Sequence, residues 1–142
     1  MQPEFKDYAK QVVKNAKALA ETLMSEGIKL VSNGTDNHLV LIDLINTKSV
    51  AKERLGKDAA VALEQSGIIT NANTIPFDPS TPFKPSGVRL GTPILTTRGM
   101  KETEMRFVGK CIADVINNLS DSSIRDGIRH KVLELCNNFP FY

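Results

Sequence analysis

Residues 86–93 read Ser86-Gly87-Val88-Arg89-Leu90-Gly91-Thr92-Pro93. Alternation along an extended chain sends Val88 and Leu90 to one face and Arg89 to the other, and glycines bound the run. The stretch predicts a short strand with one apolar side and little side-chain cover near the arginine's base. Arginine held on a rigid strand suits the gripping of a carboxylate or phosphate through its planar fork of donors. An ordinary surface or salt-bridged arginine fits the same residues.

Just before this strand the chain changes character. Pro76, Pro79, Pro82 and Pro85 fall at every third position, which favours stiff, extended backbone without ladder hydrogen bonds. A ligand for proline-recognising modules has that spacing too, but such ligands usually sit in disordered tails, and this segment lies between apolar elements. Asn71-Ala72-Asn73-Thr74-Ile75-Pro76-Phe77-Asp78-Pro79-Ser80-Thr81-Pro82-Phe83 could present amides and fixed backbone to the edge of a flat heterocycle. It could equally be a plain proline-rich connection.

Further out, Phe5, Tyr8, Val12, Ala16, Leu19, Ala20 and Leu23 recur at three- and four-residue steps. They predict a helix over 4–26 with Gly27 as its stop. Aromatics in its first turns suggest that this end packs on something else. Two strands are expected next, Ile28–Ser32 and His38–Leu44, joined as a hairpin through Asn33-Gly34-Thr35-Asp36-Asn37. The apolar run Leu39-Val40-Leu41-Ile42 reads as a strand buried on both faces. A helix over 57–65 ends at Gly67, and Ile68-Ile69 starts another short strand. After the arginine strand, helices are predicted from Lys101 to Leu119 and from Asp121 to Cys136. The first would bury Met105, Val108, Ile112, Val115, Ile116 and Leu119, the second Ile124, Ile128, Val132 and Leu135. The fold class is α+β: a small antiparallel or mixed sheet with helices on one face, in a single domain over 1–142.

Composition narrows the function. The 142 residues carry a net charge of +2, too mild for a nucleic-acid footprint, and the basic residues are dispersed. Cys111 and Cys136 sit on predicted amphipathic helices and read as free thiols. With His38 and His130 far apart, no zinc cluster is expected. No apolar run reaches the length of a membrane span and the first residues are no signal peptide, so a cytoplasmic location is expected. His38, at a strand start, is more often a structural histidine than a catalyst.

Four segments taken together resemble the serine hydroxymethyltransferase family, in that family's order and nearly its spacing. They are Val12-Val13-Lys14-Asn15-Ala16-Lys17-Ala18-Leu19-Ala20, Gly34-Thr35-Asp36-Asn37-His38-Leu39, Asn71-Ala72-Asn73-Thr74-Ile75-Pro76, and Ser86 to Pro93 followed by Thr96-Thr97-Arg98-Gly99. Each alone is weak; the ordered set is specific. The resemblance covers essentially the whole chain but only the C-terminal small domain of the family, in the manner of fold type I pyridoxal-phosphate enzymes.

The resemblance implies an enzyme that interconverts serine and glycine, moving a one-carbon unit to or from tetrahydrofolate with pyridoxal phosphate as electron sink. It implies that Arg89 binds the amino acid's carboxylate and that Asn73 contacts the folate pterin. Thr81, Pro82 and Phe83 would form a neighbouring folate stretch, and His38 would lie at the domain interface. A homodimer or higher homo-oligomer is implied for the whole enzyme.

Two departures stand out. A few extra residues lie between Leu44 and Gly56, and the Thr/His-rich turn with the family's cofactor lysine is missing. None of the 12 lysines has that setting. The expectation is therefore an excised domain, with Met1 supplied in cloning, that is inactive alone and binds no pyridoxal phosphate. The rival of another class is a stand-alone α+β domain that binds a ligand or protein partner without catalysis.

Overall fold

The stripe of apolar residues near the start becomes helix α1, Pro3–Ser25, in a computed structural model that describes residues 3–31, 39–50, 56–76, 78, 85–91, 96 and 98–139. Its inward face is Val12, Ala16, Leu19, Ala20 and Leu23, all buried. The first turns are not: Phe5 is exposed and its ring lies tilted 6.4 Å from that of Tyr8. Gly27, at φ 85°, ends the helix, and the Ile28 N–H reaches back to the Leu23 carbonyl at 3.0 Å. That is a Schellman closure, which needs a left-handed residue at the glycine. Helix α2, Gly56–Gln65, ends the same way, with Gly67 at φ 86° and Ile68 N–H on Leu63 O at 2.8 Å.

The sheet has three strands: β1 Leu39–Asp43, β2 Asn71–Asn73 and β3 Gly87–Gly91. Their order is β1-β3-β2, with β3 antiparallel to both neighbours. Val40 and Ile42 of β1 sit opposite Leu90 and Val88 of β3. These four point inward, onto a core completed by α1 and by helix α3, Glu102–Asn117. From α3 come Met105, Cys111, Ile112, Val115 and Ile116. Full burial of such an aliphatic side chain contributes about 1.5–3 kcal/mol before entropy is charged against it. Helix α4, Ser122–Asn138, lies shallower. Asp121 caps it, accepting from the N–H groups of Ser123 and Ile124 at 3.0 and 3.3 Å, and these bonds, with the Ser123 hydroxyl foremost, hold its carboxyl below the usual range.

A buried amide joins the first helix to the segment between β3 and α3. Asn15 Nδ2 donates to Thr96 Oγ1 at 2.8 Å and to the Met100 carbonyl at 2.9 Å. Its Oδ1 accepts from Gln11 Nε2 at 2.9 Å, and Gln11 also donates to the Glu102 carboxylate. The Gln11 bond is the main reason Glu102 stays below the ordinary carboxylate range.

The α+β class with helices against one sheet face is as expected; three local readings change. Leu39 is exposed and Leu41 half-buried, so β1 is covered on one side only, not two. Ile68-Ile69 is no strand; Ile69 is 87% exposed, and the strand is Asn71–Asn73 instead. Docking onto the edge of β3 outweighs the low strand propensity of asparagine. On α4 only Ile128 is fully buried, with Ile124, Val132 and Leu135 packed at the core's margin. Of the first expected strand, Leu30 forms an antiparallel bridge to Ile42, and the turn at 32–38 lies outside the described residues.

Candidate functional site

The side of the sheet turned away from the helices carries the polar residues Arg89, Asn71 and Asn73. Register puts Arg89 between Leu41 and Asn71, and Gly87 between Asp43 and Asn73. Directly opposed residues of an antiparallel pair project to the same side. Arg89, Asn71 and Asn73 therefore share one open face, whereas Val88 and Leu90 share the buried one. Diagonal neighbours in such a ladder are about 7–8 Å apart. The guanidinium stem of Arg89 and the amide of Asn73 thus stand within reach of one small ligand. Arg89 is exposed at mid-strand, with Asn71 exposed and Asn73 half-buried beside it.

Asn73 Nδ2 donates to the Thr74 carbonyl at 3.0 Å, which steadies the amide at the end of β2. Gly87 makes the close approach possible. A Cβ there would meet Asn73 O and Ile75 Cγ2 at 2.8 Å and Ile42 O at 2.9 Å. Any side chain would force β2 and the Ile75 segment away from β3. Beside it Asp43, although on the same face, is buried. Its carboxylate accepts from Asn46 N–H at 3.1 Å and Asn46 Nδ2 at 2.6 Å, so it closes a turn.

The start of β3 is held by a second carboxylate. Asp78 Oδ2 accepts from Ser86 N–H at 2.9 Å and Ile75 N–H at 3.3 Å, and Oδ1 from the Ser86 hydroxyl at 2.7 Å. Ser86 itself is fully buried. Sequence reading passed over Asp78 among the prolines and Asn71 next to Asn73. An aspartate placed to fold back on its own turn was the available signal.

Of the sequence-predicted residues, the fold brings Arg89 and Asn73 together. Thr81, Pro82, Phe83 and His38 lie outside the described residues. Among those described, no group of three His, Cys, Asp or Glu side chains is placed to hold a metal ion, and no helix is long and apolar enough to cross a membrane. Cys111 and Cys136 are both free thiols. A recess of about 480 Å³ lined by Ser49 and residues 117–122 lies at the α3–α4 corner, and none of the predicted site residues lines it.

Comparison with known proteins adds two findings. The family model described as serine hydroxymethyltransferase matches residues 1–112. A curated serine hydroxymethyltransferase from Koribacter versatilis (strain Ellin345) is 51% identical over all 142 residues, and the chain spans 32% of that protein's length.

Proposed function

This chain belongs to the serine hydroxymethyltransferase family, and from that premise we propose that its open sheet face is a substrate half-site of a serine–glycine converting enzyme. Arg89 would take the amino acid's carboxylate and Asn73 an edge of the folate pterin. The observation that carries this reading is the shared face of Arg89, Asn71 and Asn73. A guanidinium matches a carboxylate with two parallel charge-assisted bonds. An amide, with one donor group and one acceptor, matches the mixed edge of a heterocycle better than it matches a lone carboxylate. Held on a short ladder, the two would orient the amino acid and the one-carbon carrier toward each other, and orientation of that kind lowers the barrier.

Pyridoxal phosphate, the cofactor implied by the family, is attached through a lysine amine and supplies an electron sink. Strands β1, β2 and β3 contain no lysine. The donors on the open face fit a carboxylate and a heterocycle edge, and they do not fit the attachment of this cofactor. In this reading the cofactor is held by parts of the whole enzyme that lie outside these 142 residues, and the chain by itself is inactive. Serine or glycine and tetrahydrofolate are its small-molecule partners, a homodimer or higher homo-oligomer is the working assembly, and the cytoplasm is its compartment.

The test is a chimera in which this chain replaces the matching third of the Koribacter relative. Serine-to-glycine conversion dependent on tetrahydrofolate is expected in the chimera. The separate chain is expected to retain no cofactor absorbance after dialysis. A folded chimera without activity, or a separate chain with a stoichiometric band lost on borohydride treatment, contradicts the reading.

A further inference from the structure

Strand β2 is only three residues long, lies at a sheet edge, and consists of Asn-Ala-Asn. Such a strand has little intrinsic tendency to hold its place. By contrast β3 pairs with β1 over five residues, so Arg89 is fixed whether or not β2 stays. Something else has to set Asn73 against Arg89. The Asp78 carboxylate is built for it: one oxygen accepts from Ile75 N–H and Ser86 N–H, the other from the Ser86 hydroxyl. The Asp78 N–H in turn donates to the Ile75 carbonyl at 3.1 Å. Ile75 is two residues past Asn73, and Ser86 is three before Arg89. Ser86 is anchored in its own right, since its carbonyl accepts from Leu44 N–H at 3.0 Å. One carboxylate thus ties the asparagine side of the open face to the arginine side.

We propose that Asp78 is a positioning residue that fixes Asn73 relative to Arg89 and so governs affinity for the folate without governing the amino acid. This rests on the assignment of Arg89 and Asn73 above. Removing the carboxylate strips three donors of this acceptor, two of them backbone N–H groups. Asn73 then drifts with β2 while the β1–β3 ladder keeps Arg89 in place. A residue important only for folding would lower both functions together.

The experiment uses the chimeric enzyme with Asp78→Ala, Asp78→Asn and Ser86→Ala. Tetrahydrofolate binding and the folate-independent cleavage of a bulky 3-hydroxy amino acid are measured on each preparation. Asp78→Ala is expected to weaken tetrahydrofolate binding roughly 10- to 100-fold, the range set by leaving buried donors unpaired. Its folate-free cleavage should fall less than about threefold, a single hydrogen bond's worth. Ser86→Ala keeps both N–H bonds and should weaken folate binding only about threefold, with Asp78→Asn between the two. Unchanged folate binding in Asp78→Ala, or a parallel fall of both readouts, overturns the proposal. If Asp78→Ala does not fold, the same split must be seen in Asp78→Asn, and its absence there is equally decisive. An unsubstituted chimera that folds but lacks serine–glycine conversion removes the assignment of Arg89 and Asn73, and the role of Asp78 with it.

Discussion

The two faces of the three-stranded sheet are made from alternate residues of the same strands, yet they obey different rules. Inward, Val40, Ile42, Val88 and Leu90 join the core that α1, α2 and α3 build, and each is buried. Outward, Leu39, Leu41, Arg89, Asn71 and Asn73 are exposed or half-buried. The inward set is explained by the free energy of burial. The outward set, an arginine between an amide and a leucine, is the one the proposed half-site would use. Stability and chemistry therefore separate at one-residue spacing, and substitutions on the two faces should separate as cleanly.

The sharpest contrast is Ile42→Ala against Arg89→Ala. Ile42→Ala leaves a cavity under the helices and should cost about 2–5 kcal/mol of unfolding free energy. Arg89→Ala removes an exposed side chain and should change stability by about 0.5 kcal/mol or less. In the chimeric enzyme the order reverses: Arg89→Ala should cost on the order of 2–5 kcal/mol in kcat/KM, roughly 30- to several-thousand-fold. Arg89→Lys should recover little, because a point charge does not reproduce the fork. Urea unfolding of the chain and steady-state kinetics of the chimera test this; near-normal glycine affinity in either arginine variant breaks the contrast.

A smaller effect tests whether the open face is itself divided. Asn73→Ala should weaken tetrahydrofolate binding by about 1–3 kcal/mol, with cleavage of bulky 3-hydroxy amino acids far less affected. A parallel loss would make Asn73 a support for Arg89 rather than a folate contact.

The smallest effect belongs to the buried side. Burial raises the Cys111 thiol to about 11, whereas an unfolded thiol titrates near its ordinary 9.0. Between these values the folded chain holds a proton that the unfolded chain releases, so this thiol's contribution to stability should be level below pH 9 and fall as pH rises toward 11. Cys111→Ala should flatten that decline in thermal unfolding measured across the range. At neutral pH a thiol reagent should label Cys136 well before Cys111, because Cys111 is 3% exposed and the thiolate is the reacting form.

Much of this division was legible in the sequence. The alternation in Val88-Arg89-Leu90 predicts which side each residue takes, and Gly27 and Gly67 mark helix ends because little else adopts their backbone cheaply. The stripe on α3 is correct at Met105, Ile112, Val115 and Ile116. What periodicity could not supply was partnership. Asn71-Ala72-Asn73 is a strand because β3 has a free edge, and no local pattern encodes that edge. Leu39-Val40-Leu41-Ile42 looks two-sided because apolar residues on an open face are chemically indistinguishable from core in a single sequence. Asp78 signalled a local turn at most, because its partner Ser86 is eight residues away across a run of prolines.

The buried Asn15 amide has a bearing on when the chain can finish folding. Its acceptors, Thr96 and Met100, lie 81 and 85 residues downstream. A ribosome adding about 5–20 residues per second delivers the second of them roughly 4–17 s after Asn15 itself. Throughout that interval the Asn15 Nδ2 group on the inward face of α1 lacks the two acceptors that it has in the folded chain. Docking the helix early would desolvate those donors without compensation, a penalty of about 1–3 kcal/mol. Docking of this helix into the core is thus disfavoured until the residues that follow the arginine strand arrive.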